Sequence, residues 1–370
     1  MSTLGWLFTG FALLRMLVAF TNWAGRLYFP KKYRLTSKPT VSILIPARNE
    51  EKNIGLLLDD LTKISYPQLE IIIYDDLSDD ATLEIARQYV SRHPHIKVIQ
   101  GAEPESQWLG KNYGCYKLAE AAHGDKLLFL DADVRVCPEL VEKALAYVEK
   151  YQLKLLSVFP KQIMPSWGSK LAVPLMNWIL LSLLPLPLVR LTRFPSLSAA
   201  NGQFMFFDAE SYRQLQPHRA FRSHQVEDIA IARYFKSNRK KIATILGSDH
   251  DIRCRMYDTL NEAIQGFSKN IFQFFGGSKI TTFLFAMVTT LAPLYLFIVE
   301  DITYGLIYLG IILLIRFFIS RASKQSAILN MLLIIPQQFI FWKIIISAYK
   351  HHKQKNIIWK DRNISASSSS

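Results

Sequence analysis

The chain is poor in the residues that build metal-binding or disulfide frameworks. Among its 370 residues are three cysteines, Cys115, Cys137 and Cys254, far apart and odd in number. Neither a CxxC zinc site nor a disulfide scaffold is expected, and a reduced compartment fits. The eight histidines form no HExxH pair. GxxxxGK[ST] and GxGxxG are both absent, which removes a P-loop and a dinucleotide fold of the usual kind. Acidic residues are also short, 30 against 44 Lys and Arg, leaving a formal net charge of +14. Such an excess suits nucleic acid, an anionic membrane surface or a phosphorylated substrate. Its placement decides: "RLYFPKKYR" (26–34), "RASK" (321–324) and "KHHKQK" (350–355) sit beside long apolar runs, where basic residues mark the cytoplasmic side of a bilayer. An anionic membrane surface is expected as a partner, and nucleic acid is not.

Half of the residues are apolar, enough for a sizeable core, but they are unevenly spread. Leu4 to Ala24 carries Arg15 as its one charge and is long enough to cross a bilayer. A signal peptide is the alternative, but a basic n-region and a small-residue cleavage site are lacking. Thr281–Val299 and Ile302–Ser320 read as two further crossings joined by an acidic turn at Glu300 and Asp301. The run Ala327–Tyr349 is interrupted by "PQQ" (336–338) and carries Lys343, so it reads as re-entrant or interfacial. The expected organisation is an anchor over 1–25, a catalytic domain over 39–250, interfacial amphipathic helices over 251–279, membrane or re-entrant helices over 280–350, and a basic, then disordered, tail over 351–370.

Between the apolar runs the periodicity alternates. "TVSILIPA" reads as a strand, 51–64 as a helix with Ile54, Leu57, Leu58 and Leu61 on one face, and "EIIIYDD" as a second strand. Helices near 81–91 and 111–122 and the strands "IKVIQG" and "KLLFLDA" continue the pattern. Continuous apolar strands between amphipathic helices predict an α/β domain with a mostly parallel sheet covered on both faces. Ligands of such sheets sit beyond the carboxyl ends of the strands.

Three strand ends there carry polar or acidic residues. "KLLFLDADV" releases Asp131 and Asp133, two residues apart and therefore on one side of an extended chain. Two carboxylates presented together suit a hard divalent cation, Mg2+ or Mn2+. A lone DxD is also what a solvated turn looks like. The ends "YDDLSDD", with Asp75 and Asp76, and "PARNEE" break the tie towards a site, although Asn49, Asp79 and Asp80 are also good helix N-caps.

With these motifs in their order, the region from Thr40 to Leu246 resembles family-two glycosyltransferases of the GT-A fold. "VSILIPARNEEKNI" is similar to the opening nucleotide-binding strand and helix, "IIIYDDLSDDAT" to the second, "LFLDADV" to the metal-binding DxD, and "VEDIAIARYFKSNRKKI" to the helix bearing the catalytic base. The resemblance implies a UDP-sugar donor, UDP-glucose first, held by Pro46, Ala47, Arg48, Glu50, Asp76, Lys111, Asp131 and Ala132, with Asp76 on the uracil and Lys111 ("WLGKN") near the diphosphate. It further implies a cation on Asp131 and Asp133, Asp228 as base with Glu227 assisting, and Asn201 and Gly202 at the acceptor. Within the family, "WLGKN", "NGQFMFF" and "CRMYDTLNEAIQGFSKN" with the trailing apolar helices resemble membrane-bound carotenoid glycosyltransferases of the diaponeurosporenoate type and hopanoid-associated transferases. Processive synthases carry QxxRW after the ED helix; here Gln265 is followed by "GFSKN", which disfavours polymerisation.

Each assignment has a plainer counterpart. Lys111 at a helix start also reads as solvated, the Glu227–Asp228 pair as acids favoured by the helix dipole, Asn201–Gly202 as a turn, and His250, near where the resemblance implies some GT-A enzymes place a further metal ligand, as a polar loop residue. Residues 167–191, broken by Pro174, Pro185 and Pro187, and 256–275 read as membrane-surface segments for a lipid acceptor, or as core. The reading is an inverting transfer of sugar to a carotenoid- or terpenoid-like hydroxyl or carboxylate. Polyprenyl phosphate or another glycolipid acceptor, and a non-catalytic nucleotide-sugar-binding scaffold, are the alternatives.

Overall fold

The structure is a computed structural model and describes residues 1–354, 358–359 and 362–363; the remainder of the expected tail lies outside the described residues. In chain order the strands among the described residues are β1 (Val41–Ala47), β2 (Leu69–Asp75), β3 (Ile96–Gln100), β4 (Lys126–Leu130), β5 (Val134–Val136), β6 (Leu155–Phe159), β7 (Lys161–Gln162), β8 (Phe204–Asp208), β9 (Ile242–Leu246), β10 (Ile252–Cys254), and the short antiparallel pair β11 (Ile358–Trp359) and β12 (Arg362–Asn363). Seven form one sheet in the order β3, β2, β1, β4, β8, β6, β9. Neighbours are parallel except at β8, which runs antiparallel to β4 and β6. Ile43, Leu44 and Ile45 of β1 and Ile71, Ile72 and Ile73 of β2 are buried on both faces, which is why these strands read as unbroken apolar runs. The expected helices are present as Ile54–Leu61, Thr82–Val90 and Gly110–Ala121.

The reversal of β8 shapes the carboxyl edge of the sheet. Its first residue, Phe204, pairs with Leu130, the last of β4. The loop Asn201–Gln203 therefore arrives where the parallel strands release their acidic residues. A smaller sheet orders β5, β10, β7 and places Cys254 opposite Val134, next to Asp133.

The described residues form two compact units: one comprises 28–162 and 188–255 with 358–359 and 362–363, the other 1–27, 163–187 and 256–354. The segment 163–187 thus belongs with the apolar helices, where the sequence reading ran the sheet domain unbroken from 39 to 250. Among the described residues, three helices are long and apolar enough to cross a membrane: Thr3–Ala24, Lys279–Glu300 and Ile302–Ala322. The last apolar run forms Ala327–Leu332 and Ile334–Gln354, which are not among the three.

Pro174 does not break its segment, contrary to expectation; the helix runs from Trp167 to Leu183. A proline frees the carbonyl four residues earlier. Here that carbonyl, on Lys170, accepts from Gln337 Nε2 at 3.3 Å, so a neighbouring helix restores the lost bond. Pro336 lies in the first turn of Ile334–Gln354, where a missing N–H costs nothing. Gln338 Nε2 donates to Thr290 Oγ1 at 2.7 Å, so "PQQ" serves interhelical bonding.

Candidate active site

The loops leaving β1 and β2 are laced together. The Asp76 N–H donates to the Ala47 carbonyl at 2.8 Å, and Arg48, buried, donates from Nη1 to the Asp76 and Leu77 carbonyls at 2.6 and 2.9 Å. Asn49 and Leu77 take left-handed φ values of 51° and 52°, a conformation held because side chains tie both loops. The Asn49 N–H donates to Ser78 Oγ at 3.1 Å, and Asn49 Oδ1 accepts the Asp79 N–H at 3.0 Å.

Beyond these strand ends lies a cleft of about 140 Å³. All eight residues expected at the nucleotide sugar line it: Pro46, Ala47, Arg48, Glu50, Asp76, Lys111, Asp131 and Ala132, together with Asp133. Tyr74, Gly110 and Gly114 complete the lining and were missed in the sequence. Tyr74 and Asp76 alternate onto one side of their strand. A β-carbon on Gly114 would stand 2.8 Å from the Tyr74 ring, so only glycine leaves the ring its place.

A chain of short contacts leads from Asp131 to Asp228. Lys111 Nζ lies 2.7 Å from Asp131 Oδ1 and 3.8 Å from Glu227 Oε1. A β-carbon on Gly202 would sit 3.3 Å from Lys111 Nζ, 3.6 Å from Glu227 Oε1 and 3.8 Å from Asp228 Oδ2. The Gly202 N–H donates to Asp228 Oδ2 at 2.9 Å, and the Ile229 N–H to Oδ1 at 2.7 Å. The acids open the helix Glu227–Ser237, where the dipole favours negative charge. Asn201 turns its Oδ1 to the Gln203 N–H at 2.8 Å and so shapes the loop that presents Gly202.

Asn112, absent from the sequence reading, steadies the other side. Its Nδ2 lies 2.9, 3.2 and 3.0 Å from the carbonyls of Phe221, Arg222 and His224, in the stretch leading to Glu227. One helical turn therefore presents Lys111 to the acids and anchors the loop that carries them. His250 lies in an exposed loop, where its carbonyl accepts from Lys143 at 2.8 Å.

The electrostatics are those of crowded, buried carboxyls. Burial raises Glu227 to about 7; Lys111 opposes the rise and Asp228 adds to it. Burial also raises Asp228. Burial disfavours the Lys111 ammonium, but Asp131 and Glu227 outweigh it and hold the charge. Asp133 is pushed up to about 7 by burial, then by Asp131 and Glu50. Gln203 Nε2 lies 3.2 Å from both Asp133 oxygens, and Cys254 Sγ donates to Oδ2 at 3.4 Å. Among the described residues no three His, Cys, Asp or Glu side chains gather as a self-sufficient metal site. Asp131 and Asp133 form a two-carboxylate oxygen donor set whose crowding a divalent cation would relieve, with other positions left for phosphate oxygens and water.

Glycosyl transferase family 2 matches residues 42–215, which span β1 to β8 and the DxD. Over these residues the chain carries a family 2 glycosyltransferase domain. It is 26% identical over 387 aligned residues to 4,4'-diaponeurosporenoate glycosyltransferase of Staphylococcus aureus strain bovine RF122 / ET3-1, covering 96% of this chain and 98% of that protein. The enzyme of the same name from Staphylococcus haemolyticus is 28% identical over 254 residues, covering 66% of this chain and 64% of that one. A mannosyltransferase, PcManGT from Pyrobaculum calidifontis, solved in complex with GDP-Man and Mn2+, superposes with a TM-score of 0.56 at 16% identity, over 94% of this chain and 96% of that one. The glycosyltransferase thus has the GT-A fold, with its antiparallel β8 inside an otherwise parallel sheet. Within it, Asp228 lies beyond the matched region.

Proposed function

We propose that this glycosyltransferase moves a sugar, with inversion, from a UDP-sugar to a hydroxyl or carboxylate of a carotenoid- or terpenoid-like membrane lipid. The observation that carries the proposal is the unbroken path Asp131, Lys111, Glu227, Gly202, Asp228. It supports a phosphate-binding edge and a candidate base within the reach of one bound donor and acceptor. The names of the Staphylococcus relatives support the acceptor class, and Asp76 at the β2 end, lining the cleft, supports the nucleotide. UDP-glucose is the first donor to try.

Asp131 and Asp133 would hold Mg2+ or Mn2+, which when bound offsets the diphosphate charge that grows as the sugar departs. Lys111 adds a fixed positive charge beside Asp131. Asp228, oriented by the Gly202 and Ile229 N–H groups, takes the proton of an acceptor hydroxyl as that oxygen attacks the anomeric carbon opposite the nucleotide. Burial brings its affinity for a proton closer to what a base needs near neutral pH. Glu227 fixes the ammonium between the two halves of the site. An acceptor carboxylate arrives without a proton and needs no base.

The protein is a multi-pass membrane enzyme with its catalytic unit in the cytoplasm. The Ser2 N–H donates to Glu300 Oε1 and Oε2 at 2.9 and 3.1 Å, which joins the start of one candidate span to the acidic turn before another. Their far ends carry Arg26, Arg321 and Lys324, as expected of the cytoplasmic side. The deciding experiment supplies purified protein with UDP-glucose and either a carotenoid acid or a carotenoid alcohol and identifies products by mass spectrometry. A hexosylated carotenoid, lost with chelator and restored by Mn2+ or Mg2+, is expected. UDP binding without turnover on any lipid acceptor defeats the proposal.

A further inference from the structure

The apolar helices bury two arginines without acids to neutralise them. Arg15, in Thr3–Ala24, and Arg316, in Ile302–Ala322, are 5% and 2% exposed. Both guanidinium groups face the Trp178 ring, 4.8 and 4.6 Å from its centroid. Arg15 donates from Nε and Nη2 to Ser182 Oγ at 3.2 and 3.0 Å. Arg316 Nη1 donates to Gln337 Oε1 at 2.8 Å, while its buried Nε has no acceptor. The titratable neighbours of the pair are Tyr308 and each other, and among the described residues no carboxylate pairs with either.

An aromatic face, a hydroxyl and an amide compensate part of the cost of removing a guanidinium from water, but they supply no opposite charge. Two adjacent positive groups in a candidate membrane region, one with an orphaned N–H, describe half of an ion pair. Charged groups at such places characteristically serve a ligand or a pathway. The planar N–H fork matches the oxygens of a phosphate or carboxylate. The Ser2–Glu300 contact aligns the starts of the two helices, so the arginines lie at one level, roughly 20 Å along. An anion at that depth is carried there by an apolar tail.

We infer that Arg15 and Arg316 form a binding site for the anionic group, phosphate or carboxylate, of a membrane lipid. The site is separate from the cleft at the sheet edge and from the exposed basic residues that meet a charged surface.

The test uses the full chain in nanodiscs of phosphatidylcholine, alone or with phosphatidylglycerol or oleic acid added. Either anionic lipid is expected to raise the wild-type melting temperature by about 5 °C at saturation. The double variant Arg15→Met, Arg316→Met is expected to lose that rise and to be no less stable than wild type in phosphatidylcholine alone, since it no longer buries unpaired charge. A surface control, Lys31→Gln with Lys32→Gln, keeps the rise. A response to phosphatidylglycerol alone assigns a phospholipid headgroup, and one to oleate alone a carboxylated lipid. The inference fails if the double variant is destabilised equally in all lipids, which marks the arginines as structural, or if the rise survives in it. Native mass spectrometry of the wild type gives a second reading: no preferential retention of either anionic lipid over phosphatidylcholine overturns the site even if the variant does not fold.

Discussion

Replacing Asp228 by asparagine separates acid–base chemistry from positioning, because the two acceptor types place different demands on the residue. Both carboxylate oxygens now accept backbone N–H groups, from Gly202 at 2.9 Å and Ile229 at 2.7 Å. Asparagine has one accepting oxygen, so one of these bonds is lost. An unsatisfied N–H costs about 1–3 kcal/mol, shared between stability and the placement of Gly202. Loss of the base is a separate effect, worth about 10²- to 10⁴-fold, or about 2.7–5.4 kcal/mol, for an acceptor that must lose a proton. With an alcohol acceptor kcat is expected to fall about 10³-fold, and with a carboxylate less than about tenfold, because that oxygen is already deprotonated near neutral pH. The assay measures kcat and KM for a carotenoid alcohol and the matching acid in the same detergent, together with UDP affinity, which stays within about threefold in this reasoning. Equal losses for the two acceptors would refute the assignment of Asp228 as base. So would a loss carried wholly by UDP affinity.

Three further outcomes follow from the same geometry. Lys111→Met leaves Asp131 without its cation and is expected to weaken UDP binding about 30-fold by calorimetry, since truncating one partner of a hydrogen-bonded charge pair costs roughly 2 kcal/mol or more. Asn112→Asp removes the donor shared by three carbonyls and is expected to lower kcat about 10²-fold while UDP affinity holds; a fall in affinity with kcat unchanged would contradict its positioning of the Glu227 loop. Glu227 gives a pH signature: its carboxyl, raised by burial from 4.5 to about 7, keeps in the folded chain a proton that the unfolded chain releases. The resulting stability is present below about pH 4.5 and lost as pH rises through about 7, on the order of 3 kcal/mol. Glu227→Gln should therefore gain melting temperature relative to wild type between about pH 5 and pH 8, and a pH-independent difference would speak against the buried acid.

What could be read from the sequence was whatever depends on local period. Strand runs of Ile and Leu ending in Asp75, Asp76, Asp131 and Asp133 announce a sheet edge because residues two apart share a side. The acids of Glu227–Ser237 announce a helix start. Tyr74, Gly114 and Asn112 were silent because their roles depend on which loops meet: a tyrosine in a strand is ordinary until a glycine from another helix makes room for its ring. Pro174 misled for the same reason. The donor that rescues its helix is the side-chain amide of Gln337, 167 residues from the Lys170 carbonyl it serves, and no local rule reaches that far.

The helix Trp167–Leu183 sets a limit on how this enzyme can be cut. Trp178 lies against Phe285 and Phe341, with ring centroids 5.3 and 5.7 Å apart, and Asn22 donates to the Leu181 carbonyl at 2.9 Å. Deleting both terminal helical regions to obtain a water-soluble fragment would strip the cover from this internal helix, which remains tethered between β7 and β8. Such a fragment would carry a freshly bared greasy face and clump. Soluble versions require excising 163–187 as well and bridging the gap, whereas the intact chain must be handled in detergent or lipid.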